Sequence, residues 1–132
     1  MERRMPGFLA IQAAQRRNAE DRRRREEAWW QDAIALQTAG RIEEAVRETQ
    51  ANLEQLSRFV LDPFERIAML YAREVDRLLA LNDRAGAEVA AREAVRWMSI
   101  WASGSTSGGE GTARSRAMAE MEAELRRKLA KT

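Results

Sequence analysis

Pairs of acidic residues are the groups in this sequence best able to do acid–base chemistry. Glu43 stands next to Glu44, and Glu120, Glu122 and Glu124 alternate along a later stretch. Paired carboxylates act as general acid and general base only when their environments separate their pKa values. Both groups fall on helix faces that we expect to be exposed, with arginines nearby. The sequence therefore predicts no catalytic residue and no enzyme.

Cysteine and histidine are absent, which excludes disulfides, thiolate zinc sites and the commonest general base. Gly104 and Gly109 have the separation of the two glycines in the phosphate-binding loop G-x-x-x-x-G-K-S/T. Glu110 stands at the lysine position, however, and an acid there would repel phosphate. The sequence predicts no metal and no cofactor, and we interpret residues 103–111 as a flexible glycine- and serine-rich linker.

The four tryptophans are candidates for binding a partner. Trp29 and Trp30 are neighbours, so on a helix their side chains point in different directions, and Trp97 lies off the stripe that holds Met98 and Trp101. One helix face cannot bury them all, and tryptophan is enriched at the energetic centres of interfaces. We select Trp30 and Trp97 as partner-binding candidates. In the alternative interpretation, helices cover both sides and all four tryptophans belong to the core.

The N-terminus is rich in arginine. Residues 1–25 contain eight arginines and three acidic residues, a net charge of +5, and residues 126–132 add a further +4. We select Arg22, Arg23 and Arg25 as partner-binding candidates. Such a cluster suits an acidic protein or a nucleic-acid backbone, but no aromatic residue interleaves with it to stack on bases. The basic C-terminus would contribute to the nucleic-acid alternative. A membrane surface fits less well, because the apolar stretch 8–14 is short.

Residue patterning predicts an all-α fold, an antiparallel bundle of about five helices. Only two prolines occur, and good helix formers dominate. We expect an irregular lead over residues 1–7 and helices over about 8–39, 42–60, 63–81, 84–102 and 112–130. The breaks fall at Gly40, Pro63 and Asn82. The predicted apolar face of the third helix comprises Phe64, Ile67, Tyr71, Val75, Leu78 and Leu81, and alanines on the fourth (Ala87, Ala91 and Ala94) predict a close helix–helix approach.

The segment 29–57 resembles the tetratricopeptide repeat, in which a large residue, a small residue, a large residue, a turn glycine and an alanine recur at fixed spacings. The matching positions are Trp29, Ala33, Leu36, Gly40 and Ala45. The departures from the repeat are Thr49, Asn52 and Ser57, where an aromatic residue, alanine and proline are usual. A weaker second copy follows 42 residues later, where Leu78, Asn82 and Ala87 correspond to Leu36, Gly40 and Ala45. The resemblance implies stacked helical hairpins that bind another protein or a peptide.

These observations divide the chain into four parts: a basic N-terminal arm (1–27) that we expect to project, a helical-hairpin core (28–102), the linker (103–111) and a C-terminal capping helix (112–132). We predict a non-catalytic protein–protein interaction module or a small subunit of a larger assembly, with self-association as one form of partnership. The alternative is a nucleic-acid-associated protein. No apolar run reaches the length of about 18 residues that a membrane span needs, so we expect a cytoplasmic protein.

Overall fold

The computed structural model describes residues 4–55, 63–104 and 108–131, and every regular element in these ranges is an α-helix. The chain forms an all-α bundle, as the sequence predicts. Neighbouring helices pack in the order α1–α2–α3–α4–α5, and α3 also contacts α1. The helices are α1 (Arg4–Thr38), α2 (Ile42–Gln55), α3 (Pro63–Ala80), α4 (Arg84–Ser103) and α5 (Gly108–Ala130).

Two short turns fold successive helices back on each other. Gly40 ends α1 with a φ of +84°, and Asn82 follows α3 with a φ of +59°. Both angles lie in the left-handed region, which glycine and asparagine tolerate better than other residues. The predicted breaks at Gly40 and Asn82 are therefore confirmed. Asp83 begins α4 as its N-cap, because its side chain accepts a hydrogen bond of 2.9 Å from the backbone N–H of Gly86.

Two clusters of buried side chains form the core. The first joins α1, α2 and α3 around Ala33, Ala45, Val46, Ile67 and Leu70. The second joins α3, α4 and α5, and its buried members are Val75, Ala87, Ala90, Ala91, Ala94 and Leu125. Alanines from α4 make up most of the second cluster, which confirms the predicted close packing of that helix. The predicted capping role of the last helix is also met, since Leu125 of α5 is buried against α4.

Helix bounds differ from the sequence-based prediction at two places. Residues 4–7 are helical, so the predicted irregular lead is wrong over that range. A proline in the first turn of a helix is tolerated because the N–H groups there have no intrahelical partner. Residues 108–111 also belong to a helix, since α5 begins at Gly108. The linker prediction is wrong there, and residues 105–107 lie outside the described ranges.

The apolar face of α3 differs from the prediction at its C-terminal end. Ile67 and Val75 are fully buried, but the side chain of Leu81 is 62% exposed. The reason is that α3 ends at Ala80, so Leu81 belongs to the turn and leaves the helical stripe. Leu70 and Glu74 are buried instead, one turn apart on the same helix. The second predicted helix is described to Gln55, and its predicted end near residue 60 lies outside the described ranges.

Candidate functional site

The arm is the part of α1 that contributes no residue to the two described core clusters. No residue from Gly7 to Ala28 is buried, and the residues of α1 that pack in the core begin at Trp30. Near the N-terminus of α1 the side chains of Phe8, Leu9 and Ile11 are 58%, 57% and 60% exposed. The arm is nevertheless continuous with the core, because one unbroken helix of 35 residues contains both. It therefore presents exposed apolar side chains on a rigid extension.

Four arginines of the arm are exposed and lack an ion-pair partner within the described part of the chain. This holds for Arg16, Arg17, Arg23 and Arg25. Arg24 lies 4.0 Å from the carboxylate of Glu20, and both of these side chains are largely exposed. An exposed pair at that distance contributes little stability.

The structure places the predicted residues Arg22, Arg23 and Arg25 within one helical turn, and Arg22 is half-buried. Their charges therefore act on the surroundings together. Exposed guanidinium groups without an internal partner remain available to an external acidic group.

The predicted partner residues Trp30 and Trp97 both pack against the first core cluster. Trp30 is half-buried, and the guanidinium of Arg66 lies 4.7 Å from the centre of its ring system. Trp97 is also half-buried and stacks on Phe64, with ring centres 5.7 Å apart and an interplanar angle of 22°. Its indole N–H is buried and has no hydrogen-bond partner among the residues that the structure describes. Both tryptophans thus contribute to packing between helices, and their role in partner binding stays a prediction.

The other two tryptophans are likewise half-buried. Arg114 of α5 lies 4.8 Å from the ring of Trp101 and donates a hydrogen bond of 2.9 Å to its backbone carbonyl. This contact fastens α5 to the C-terminal end of α4, where carbonyl groups lack intrahelical partners. None of the four tryptophans is fully exposed. The alternative interpretation, in which helices cover both sides, therefore describes them better than an exposed aromatic surface does.

A buried polar network links α1 to α3, and nothing in the sequence pattern predicted it. The side chains of Gln37 and Glu74 are 2% and 4% exposed, and the Gln37 amide donates a 2.9 Å hydrogen bond to the Glu74 carboxylate. Arg77 donates two hydrogen bonds to the same carboxylate, at 2.7 and 2.9 Å. Arg73 donates one of 3.2 Å to the amide oxygen of Gln37.

Burial raises the pKa of the Glu74 carboxyl, but the hydrogen bonds from Arg77 and Gln37 and the charge of Arg77 outweigh it. The net effect is that the pKa of Glu74 is lowered from its usual range. The carboxyl is therefore held as an ionised, fully hydrogen-bonded anchor between two helices. An open cavity of about 320 Å³ lies beside it, lined by Gln37, Thr38, Arg73, Asp76 and Arg77.

A second groove, of about 400 Å³, runs between α4 and α5. Both apolar and charged side chains line it. The lining residues are Glu88, Ala91, Arg92, Val95, Glu122, Leu125, Arg126 and Leu129. Glu88 pairs with Arg84, and Glu122 pairs with Arg126. With Arg92 and Arg126, the lining holds two basic and two acidic side chains, so its charges sum to zero and favour neither sign of occupant.

The acidic pairs considered for catalysis lie on the surface. Glu44 pairs with Arg41 at 2.5 Å, and Glu124 pairs with Arg127. Glu43 is exposed. Gly104 has right-handed helical backbone angles at the C-cap of α4, and Gly109 lies in the first turn of α5. The two glycines therefore belong to helix ends.

Within residues 4–55, 63–104 and 108–131, no group of three or more acidic, histidine or cysteine side chains is arranged to hold a metal ion. In the same ranges, no helix combines the length and apolar character that crossing a membrane requires. Compared with known proteins, the chain matches no protein-family model, no curated protein and no solved structure. The class that the fold defines is an all-α helical bundle.

Proposed function

We propose that this chain is a non-catalytic protein–protein interaction module or a small subunit of a larger assembly, built on tetratricopeptide-like hairpins. The observation that carries the proposal is the arm. Phe8, Leu9 and Ile11 are more than half exposed at one end of a rigid helix, and exposed arginines follow them. Exposed apolar clusters bordered by charge are typical of surfaces that another protein covers.

The helix arrangement supports the repeat-like part of the proposal. Both hairpins turn through a residue with positive φ, Gly40 in one and Asn82 in the other, 42 positions apart. Helix α3 packs against both helices of the first hairpin and against α4. Stacking of one helical pair on the next in this way is how solenoid repeats bury a continuous core. A cytoplasmic location is part of this proposal, and the lack of cysteine is compatible with a reducing compartment.

A nucleic-acid-associated protein is the second candidate, and one observation favours it. Arg16, Arg17, Arg23 and Arg25 have no ion-pair partner within the described residues. Unpaired arginines along one helix would suit a phosphate backbone, with an affinity that falls steeply as salt is raised. The absence of an aromatic residue between them favours an acidic protein surface over stacked bases.

One experiment distinguishes the two candidate functions. The tagged full-length chain is cross-linked in its host and purified after nuclease treatment, alongside the arm variant Phe8→Ser/Ile11→Ser. The matched control is Val89→Ser/Ile100→Ser, because these α4 side chains are also exposed. We expect a cross-linked protein, either another copy or a different chain, that the control retains and the arm variant loses.

The proposal fails if the arm variant retains every cross-linked protein, or if no protein is cross-linked at all. Binding of single-stranded or duplex DNA at low salt, measured by fluorescence anisotropy and lost on neutralising Arg22–Arg25, would establish the second candidate instead. Loss of a protein partner on changing apolar side chains alone would not follow from phosphate binding, which depends on charge.

A further inference from the structure

The first half of the chain carries opposite charges on two successive segments. Residues 1–25, the basic segment, have a net charge of +5 from eight arginines and three acidic residues. Residues 26–55, the acidic segment, have a net charge of −5 from seven acidic residues and two arginines. The acidic segment comprises the rest of α1, the Gly40 turn and α2. The sign of the charge changes between Arg25 and Glu26.

Away from their boundary, the two segments lie too far apart to neutralise each other within one chain. They share α1, a single helix of 35 residues, which holds the basic segment beyond the end of the acidic one. At a rise of about 1.5 Å per residue, α1 is about 52 Å long, several times the screening length of about 8 Å at physiological salt. A charge near Arg16 therefore acts only weakly on the acids of α2 in its own chain.

Acidic side chains on the acidic segment are available to an external cation. Glu27, Asp32, Glu43 and Glu48 are exposed, and none has an ion-pair partner within the described residues. The same holds for Arg16, Arg17, Arg23 and Arg25 of the arm. Each segment thus presents the charge that the other lacks, on the surface of the same molecule.

We propose that a second copy of this chain docks on the arm, with the two α1 helices antiparallel and each basic segment lying along the acidic segment of the other copy. The occupant is a second copy because the complementary surface is on this chain and the rigidity of α1 keeps it out of reach internally. A two-fold axis near residues 25 and 26 pairs the basic segment of each copy with the acidic segment of the other. Both pairings form at once, so the assembly closes as a dimer. It places Arg25 beside Glu26 and Arg24 beside Glu27 of the other copy. This inference rests on the proposed function and names the partner.

Charge-reversed variants test the dimer. Arg24→Glu/Arg25→Glu makes the middle of α1 acidic, and Glu27→Arg/Asp32→Arg makes it basic. Arg92→Glu/Arg116→Glu is the matched control, because it changes the net charge as Arg24→Glu/Arg25→Glu does, at exposed positions on α4 and α5. The mass in solution is measured by light scattering after size-exclusion chromatography, at about 0.1 M and about 1 M salt. Circular dichroism checks that each variant is helical.

We expect the unmodified chain at low salt to have twice its monomer mass of 15.1 kDa and to dissociate at high salt. Each reversal should weaken the homodimer by roughly a hundredfold, because every changed contact occurs twice about the axis. An equimolar mixture of the two reversed variants should form a heterodimer, since an acidic α1 then faces a basic one. The control should dimerise as the unmodified chain does.

Three outcomes would overturn the inference: a monomer at low salt, a dimer that neither salt nor either reversal weakens, or open-ended polymers in place of a dimer. Failure of the reversed variants to pair when mixed would also overturn it. A monomer that still cross-links a different protein through the arm would leave the proposed function standing. A monomer with no cross-linked protein would remove both.

Discussion

The amide of Gln37 and the carboxylate of Glu74 form a hydrogen bond of 2.9 Å between α1 and α3, and each residue is less than 5% exposed. They are 37 positions apart in the chain. Arg77 completes the bonding of the carboxylate and also lies against the Gly40 turn, where its Nη1 atom would be 3.4 Å from an added Cβ. The network thus fixes the turn of the first hairpin on the C-terminal half of α3.

Removing both sides of this buried pair should cost less than the sum of the two single losses. Glu74→Leu leaves the buried Gln37 amide without its acceptor, and we expect it to lower the free energy of unfolding by about 2–3 kcal/mol. Gln37→Leu leaves the carboxylate bonded to Arg77 and should cost about 1 kcal/mol. The double variant should be more stable than the sum of the two changes implies, by about 1 kcal/mol. Urea unfolding followed by circular dichroism measures these values, and strict additivity would contradict the prediction.

Stability should depend on pH through Glu74. Its pKa is lowered in the folded chain, so the carboxyl holds a proton less readily when folded than when unfolded. The resulting stabilisation is present above the ordinary pKa of 4.5 and is lost as the pH falls through the lowered value. We expect the difference in unfolding free energy between the unmodified chain and Glu74→Gln to be largest near neutral pH and to shrink on acidification. If the free energies of unfolding of the two proteins changed in parallel with pH, the pH dependence would not come from Glu74.

The backbone conformation at Gly40 should make Gly40→Ala destabilising. Its φ of +84° lies in the left-handed region, where a side chain costs about 1–2 kcal/mol. Gly7→Ala is the matched control, because Gly7 is helical and a Cβ there would meet nothing within 4 Å. The control should be neutral or more stable by up to about 1 kcal/mol. Thermal unfolding measures both variants, and equal effects at the two glycines would contradict the argument.

Close packing of α3 and α4 should make a larger side chain at Ala87 unfavourable. Ala87 is fully buried in the second core cluster, so Ala87→Leu should lower the free energy of unfolding by about 1–3 kcal/mol. Ala85→Leu is the control, because Ala85 is exposed two residues before Ala87 on the same helix, and it should change stability by less than about 0.5 kcal/mol. If Ala87→Leu left the free energy of unfolding unchanged, α3 and α4 could move apart without loss of stability, which would contradict the prediction.

Much of the fold followed from local chemistry. Gly40, Asn82 and the pair Asp83–Arg84 mark helix ends because their backbone and capping preferences act within a few residues. Alanine at 87, 91 and 94 predicted close packing because only small side chains let helices approach. The same local rules failed at residues 4–7 and 108–111, where proline and glycine occupy first turns that do not need their N–H groups bonded.

The sequence by itself determined the number and type of the elements, the positions of the turns between α1 and α2 and between α3 and α4, and the uneven distribution of charge. Only the tertiary structure decided that Gln37 and Glu74 meet and that Trp30 and Trp97 pack against the first core cluster. The physical reason is the separation along the chain over which each feature is determined. Turns, caps and charge counts depend on neighbouring residues in the sequence. Burial depends on which distant side chains share a helix interface.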